Sequence, residues 1–377
     1  MIIVFKPTYA CNLACKYCYL SNDTKVPYCA DVSFIIKALL QVREVMIPKD
    51  KRVTTFLWHG GEPLVWGYDN YKIVFEFVEK EFGNYNYQHS MQTNLSLIDE
   101  HFIELFKRYK VNISFSLDGT QDIHDSQRVD KAGNPTFNKI LNKYFLCKKH
   151  GINPGCIVVA TKKHIGRIAE LYDFMANHEI NFKLNPIFSA GEAESNDDEY
   201  GLTSLEYAKM SVELFDLWYN DKDRHINNQK FIDIASALVT GQTSLCVFGK
   251  NCQDNVFAIS PHGDIFPCGR FCDNSLKQFS YGNLYDNSLS SILANRKNSE
   301  IYKREQFINN SECKYCKYFN ICHGGCLHDG FLVNKDFKTK SFLCEAYKIV
   351  FSHIENITGK EKSLFETIIH QSLSPNK

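Results

Sequence analysis

The sequence predicts an α/β protein: a partial, TIM-like (β/α)6 barrel followed by a cysteine-rich C-terminal module. Three observations carry that expectation. Up to about Phe188, short β-branched or aromatic runs alternate with longer amphipathic stretches, the pattern of βα units on a parallel sheet. Polar motifs follow four of the short runs directly, where the loops of such barrels collect functional groups. Nine of the fifteen cysteines lie downstream, between positions 246 and 344.

Taken in order, strands are expected over 2–6, 53–58, 87–92, 112–116, 155–160 and 182–186. Helices are expected around 32–46, 69–82, 99–109, 136–149, 164–177 and 204–219. A cysteine run at 11–18 follows the first strand, and His59-Gly60-Gly61-Glu62-Pro63 the second. Gln92-Thr93-Asn94 follows the third and Leu117-Asp118-Gly119 the fourth. The polar stretch 190–200 reads as a mobile loop able to serve as a lid. The expected boundaries are a barrel over 1–224, a linking helix over 225–245, the cysteine module over 246–350, and a C-terminal helix and tail over 351–377.

The chain of 377 residues, 44% apolar, supports two domains or one large α/β unit. Lys plus Arg and Asp plus Glu both number 43, so the total charge carries no bias toward polyanions, and nucleic acid is not an expected partner. The opening apolar run Ile2-Ile3-Val4-Phe5 is too short for a signal peptide or a membrane span, so a cytoplasmic protein without membrane contact is expected. Thiols stay reduced in the cytosol, which makes metal ligation a better account of the cysteines than disulfides. Cys147 and Cys156 lie in apolar helix-like and strand-like sequence and read as core fillers.

Cys11, Cys15 and Cys18 stand in Cys-Asn-Leu-Ala-Cys-Lys-Tyr-Cys-Tyr. Iron–sulfur cubes normally take four cysteines, so three thiolates leave one iron of a [4Fe-4S] cluster open for a substrate or cofactor. A zinc knuckle completed by Cys29 is the alternative, since thiolates suit both metals. The C-x3-C-x2-C spacing, with Tyr17 before the last Cys, resembles the radical S-adenosylmethionine (AdoMet) enzymes. Gly60-Gly61-Glu62-Pro63, alone an ordinary turn, resembles the GGE element of that family, and the likeness extends over the barrel half. It implies that Gly60 and Gly61 leave room for AdoMet, that the Glu62 carboxylate accepts from its ammonium, and that Tyr17, Asn94, Ser116 and Arg128 help to hold the cofactor. The plainer alternatives are strand-end caps for Asn94 and Ser116 and a solvated surface position for Arg128.

The downstream cysteines read Cys246-x5-Cys252, Cys268, Cys313-x2-Cys316-x5-Cys322-x3-Cys326 and Cys344. Their pattern, over about residues 240–350, resembles the SPASM domain, the twin-cluster extension of radical AdoMet enzymes that modify peptides and proteins. By that likeness Cys246, Cys252, Cys268 and Cys326 hold one auxiliary cluster, and Cys313, Cys316, Cys322 and Cys344 the other, giving three [4Fe-4S] clusters in all. A zinc site of Cys313, Cys316, Cys322 and Cys326 is the local alternative, but it orphans the rest. Cys272 is left over, either a spare thiol or, if it meets substrate, a proton or hydrogen-atom donor.

The resemblance implies an oxidoreductase. One electron passed to cluster-bound AdoMet yields methionine and a 5′-deoxyadenosyl radical, which takes a hydrogen from the substrate, and the auxiliary clusters remove the electron left behind. Length and cysteine spacing resemble the anaerobic sulfatase-maturating enzymes, which oxidise a Cys or Ser to formylglycine. Those enzymes carry an acidic residue directly after the third cysteine of the first auxiliary set, whereas this chain reads Cys268-Gly269-Arg270-Phe271. The departure favours a maturase that crosslinks or otherwise oxidises a ribosomally made peptide, with sulfatase maturation as the runner-up. Arg270 is a candidate for holding a substrate carboxylate. Expected partners are a peptide or protein substrate and a reductant such as flavodoxin or ferredoxin. Because the chain starts at the first strand, a leader peptide is expected to need another recognition surface or a separate leader-binding protein. An iron–sulfur electron carrier or metal-binding scaffold is the non-enzymatic alternative, and it gives no reason for Gly60-Gly61-Glu62-Pro63.

Overall fold

The computed structural model describes residues 1–360 apart from Asp23 and His225; the expected tail over 361–377 lies outside the described residues. The chain opens with β1 (Ile2–Thr8), α1 (Val32–Val45), β2 (Thr54–Gly60), α2 (Tyr68–Glu81), β3 (Tyr87–Thr93) and α3 (Glu100–Arg108). It continues with β4 (Asn112–Ser116), α4 (Gln121–Gln127), α5 (Phe137–Lys149), β5 (Gly155–Ala160), α6 (Ile168–Asn177) and β6 (Phe182–Pro186). Four helices follow: α7 (Glu192–Ser195), α8 (Asp197–Tyr200), α9 (Ser204–Asn220) and α10 (Gln229–Thr240). The C-terminal part holds β7 (Val256–Ile259), β8 (Asp264–Phe266), β9 (Gly282–Asn283), α11 (Leu289–Asn295), α12 (Arg304–Asn309), α13 (Phe319–Cys322), α14 (Leu327–Asn334) and α15 (Cys344–Lys360).

Two compact units divide the chain. The first comprises Met1–Ile157, Ala190–Asn196 and Gln253–Tyr302; the second comprises Val158–Ser189, Asp197–Cys252 and the chain from Lys303 onward.

In the first unit the strands run in the order β5-β4-β3-β2-β1-β7-β8-β9. β1 to β5 pair in parallel, each with its sequence neighbour. One face of these strands is packed and apolar: Phe56, Trp58, Met91, Phe115 and Cys156 are buried. The alternate residues Leu57, His59, Ser90, Gln92, Ser114 and Ser116 are half-buried and mostly polar. Period-two alternation thus sets a helix-covered core face against a polar inner face. The β1–β2 register shifts between Phe5 and Thr8, where Pro7 has no N–H to give to the ladder.

The cysteine-rich segment does not fold as one separate module. Val256-Phe257-Ala258-Ile259 pairs in parallel with β1, Ile2 opposite Val256 and Phe5 opposite Ile259, and every residue of this strand is buried. The apolar β1 would otherwise offer an open edge, which β7 closes.

The stretch 190–200, expected to be a mobile loop, forms α7 and α8 instead. In the first unit, Gly191 turns the chain at φ 58, where a Cβ would press on the Tyr19 carbonyl, and the Ala193 N–H donates to Cys18 O. The Asn196 side chain donates to Lys16 O at 2.9 Å. This segment therefore fastens the cysteine loop.

The second unit is built on α9, whose capping box Thr203/Glu206 starts the helix. α15 lies against it, with Ala346 N–H on Ser204 Oγ at 2.9 Å and His353 on Asp216 at 2.6 Å. The expected linking helix is α10, ended by Gly241 in the left-handed region at φ 69.

Candidate functional site

The cysteine loop leaves the end of β1, and the two glycines at the end of β2 lie against its first residues. A Cβ at Gly60, where φ is 146, would overlap Thr8 O, and one at Gly61 would stand 2.5 Å from Ala10 O. Gly61 N–H donates to Thr8 O at 3.2 Å and Glu62 N–H to Ala10 O at 2.9 Å. The glycines therefore make room for the backbone that carries Cys11.

Glu62 is fully buried and its carboxylate is already engaged. Oε1 accepts from Leu64 N–H at 3.0 Å and Thr93 Oγ1 at 2.6 Å; Oε2 accepts from Asn94 N–H at 2.6 Å. Three of about four acceptor positions are used, so this side chain chiefly ties the loop after β2 to the end of β3. Burial pushes its pKa up to about 7, against the pull of those hydrogen bonds. Asn94 is also committed: its amide donates to Asn12 Oδ1 at 2.9 Å and reaches Cys11 Sγ at 3.9 Å, while its Oδ1 accepts from Ser96. Leu95 in this turn is held at φ 65, a strained conformation for a bulky residue.

A second anchor comes from the loop after β4. Asp118, fully buried, accepts on Oδ2 from Tyr17 OH at 2.5 Å, Arg128 Nε at 2.7 Å and Gln127 Nε2 at 3.0 Å. Arg128 is 6% exposed, stacks over the Tyr17 ring, and directs Nη1 to Cys15 Sγ at 3.8 Å. It is no solvated surface arginine. The backbones join as well, Lys16 N–H on Gln127 O and Ala14 N–H on Val129 O. Burial pushes the Cys11 thiol up to about 12 and Cys15 to about 11, with Arg128 pulling Cys15 back down. Metal binding must therefore displace their protons.

On the inner face of the sheet, Lys6 is fully buried, its Nζ donating to Cys272 O at 2.7 Å and Tyr19 OH at 3.2 Å. Cys272 itself is 0% exposed, with Sγ 3.3 Å from Tyr9 OH, and burial pushes its thiol up to about 11. The exposure that a donor role requires is not met in this structure. Asp273 accepts from Ser21 N–H and Oγ at 2.9 and 2.8 Å, so this pair seats the chain after the cysteine loop. Arg270 is half-buried. His59 Nδ1 lies 2.7 Å from Gly60 N and 3.1 Å from Gly60 O, and burial followed by the Lys6 charge pushes its pKa down to about 4. Ser116 Oγ accepts from Gln92 at 3.2 Å beside it on the same face.

In the second unit, Cys313, Cys316, Cys322 and Cys344 line a cavity of about 250 Å³ together with Tyr318 and Tyr347. Among the described residues no three His, Cys, Asp or Glu side chains are placed around a single ion. Four cysteines on one cavity suit an all-thiolate metal site, which either a cluster or zinc can fill. Cys246, Cys252 and Cys326 lie in this unit too, while Cys268 belongs to the first. His323, at φ 49, donates from Nδ1 to Phe248 O at 2.8 Å, and Phe248 packs edge-on to Tyr347 and Phe351, so the Cys246 turn is fixed beside the Cys322 turn.

A parallel βα sheet with a pinned cysteine triad at its strand ends, and a second cysteine set on one cavity, define a protein with cysteine-rich sites fit for metal. Residues 5–175 match the Radical SAM superfamily and residues 240–317 an iron–sulfur cluster-binding domain, SPASM. The chain thus carries a Radical SAM domain and a SPASM domain, and these domains imply iron–sulfur clusters and AdoMet. It is 27% identical to a cysteine-type anaerobic sulfatase-maturating enzyme of Clostridium perfringens, over 93% of this chain and 95% of that one. A solved structure of native anSMEcpe with bound AdoMet and Cp18Cys peptide superposes with a TM-score of 0.82 at 24% identity, covering 95% of this chain and 99% of that chain. SuiB of Streptococcus suis bound to its precursor peptide SuiA gives 0.64 at 17% identity, covering 91% and 75%. No helix among the described residues is long and apolar enough to cross a membrane.

The structure brings Tyr17, Glu62, Asn94 and Arg128 around the cysteine loop, with Ser116 on the inner face. Sequence reasoning missed Asn12, Thr93, Ser96, Gln127 and Asp273. Thr93 alone of these left a signal, in the Gln92-Thr93-Asn94 motif after β3, as Asp118 did in the Leu117-Asp118-Gly119 turn after β4.

Proposed function

We propose that this protein is a radical AdoMet maturase that oxidises a Cys or Ser side chain of a peptide or protein substrate to formylglycine. The observation that carries this reading is similarity along nearly the whole length of both chains to a cysteine-type sulfatase-maturating enzyme. It reverses the order of the two readings drawn from the sequence.

Cys11, Cys15 and Cys18 would hold the AdoMet-binding cluster, and the two C-terminal sets of four the auxiliary clusters, three in all. When bound, the cluster and AdoMet supply a radical that removes one hydrogen atom. The chain's own part is positional. Asp118, Arg128 and Tyr17 fix the Cys15 side of the loop; Glu62, Asn94 and Asn12 fix the Cys11 side. Gln92, Ser116 and the His59 imidazole offer polar groups on the inner face, so a peptide backbone laid along that face meets hydrogen-bond partners. Conversion of Cys to the aldehyde is a two-electron oxidation in which sulfur leaves as sulfide and oxygen enters from water.

One observation favours the other reading, in which a ribosomal peptide is crosslinked. Position 269 has no acidic side chain, and a Cβ there would stand 3.3 Å from Val4 Cγ1, so the site is shaped around glycine. The two readings separate by mass spectrometry of a Cys-x-Pro-x-Arg peptide after anaerobic turnover. Formylglycine, trapped as a hydrazone, is the expected product; an unchanged peptide alongside consumed AdoMet would sink the proposal.

A further inference from the structure

Arg304 opens α12 in the second unit and is 6% exposed. Among the described residues it has no carboxylate at ion-pair distance. Its Nη2 donates to two carbonyls, Gly324 O at 3.1 Å and Thr339 O at 3.2 Å, and its Nε is buried with no hydrogen-bond partner. The seat is specific: a Cβ at Gly330 would come within 3.1 Å of Nη2 as well as overlapping Thr339 O. Guanidinium stays charged in proteins, so burial cannot be relieved by losing a proton. An uncompensated buried charge is among the most costly features a fold can carry.

The groups that bear on Arg304 electrostatically, after burial itself, are the sulfurs of Cys326, Cys252, Cys313 and Cys322. Two belong to each of the C-terminal sets. As neutral thiols they are weak acceptors; as metal-bound thiolates they are anions. We propose that Arg304 is the counter-charge of the C-terminal clusters, neutralised only when these cysteines are metallated, and that it holds the potential of at least one of them up. A fixed cation beside a cluster favours its reduced, more negative form, and net charge and hydrogen bonds to sulfur are the levers that set cluster potentials. The inference rests on the assignment of these cysteines as cluster ligands.

The test compares full-length wild type with Arg304→Gln and Arg304→Lys, each metal-free and anaerobically reconstituted. Metal-free, Arg304→Gln melts at or above the wild-type temperature because a buried charge is gone; reconstituted, the order reverses. An EPR-monitored titration then finds an auxiliary midpoint potential moved to more negative values in Arg304→Gln and less so in Arg304→Lys. Equal loss of melting temperature in both states, or unmoved potentials in both variants, would overturn the proposal. If wild type instead takes up zinc, the cluster assignment fails separately, and the reversal of melting order still decides whether Arg304 answers the thiolates.

Discussion

Glu62 shows how much a motif letter conceals. Its carboxylate meets three donors in a site with no solvent contact, and burial still outweighs them, leaving the pKa at about 7. The folded protein therefore holds a proton that the unfolded chain releases near pH 4.5. Stability from this group is fully present below that value and is lost as pH rises through about 7, a decline of roughly 3 kcal/mol. Denaturant melts of the metal-free protein between pH 5 and 8 should follow that decline, and Glu62→Gln should flatten it while lowering stability overall, because an amide nitrogen cannot accept from Asn94. A wild-type curve no steeper than the variant's would refute the assignment. Arg128 teaches the same lesson: a position that reads as solvated in sequence is sealed over Tyr17 by its pair with Asp118, a partner ten residues away.

The elements were largely legible where local pattern decides. The strands at 112–116, 155–160 and 182–186 lie where alternation placed them, and β1 to β3 run only one or two residues further. What escaped depends on distant partners. β7 is short, and its place is set by the unpaired edge of β1 some 250 residues upstream; α7 is a single turn whose order comes from Cys18 and Lys16. The glycines after β2 were legible as a motif, but not as a close approach to the Thr8–Ala10 backbone, which sequence cannot reveal. Gly61→Ala sets a methyl against two carbonyl oxygens and should cost more than the 1–3 kcal/mol usual for overpacking. Melting temperature and iron content of the reconstituted variant should both fall, iron by about a third as the N-terminal cluster is lost. Retention of full iron would mean that the loop does not depend on that contact.

At the scale of the whole molecule, each unit holds a group of clustered cysteines. The first pins Cys11, Cys15 and Cys18 from two sides at the strand ends, and the second arranges Cys313, Cys316, Cys322 and Cys344 around a cavity of about 250 Å³. That these cysteines are grouped was legible from their number and spacing; the burial of Arg304 was not, since nothing in its local sequence marks it. The measurement that tests the account most directly is anaerobic reconstitution followed by an iron count and mass spectrometry of AdoMet under a strong reductant. Wild type should hold about twelve irons and form 5′-deoxyadenosine, and a Cys11→Ala/Cys15→Ala/Cys18→Ala variant about eight irons with AdoMet left intact. Bound zinc, or AdoMet untouched by the fully loaded wild type, would contradict it.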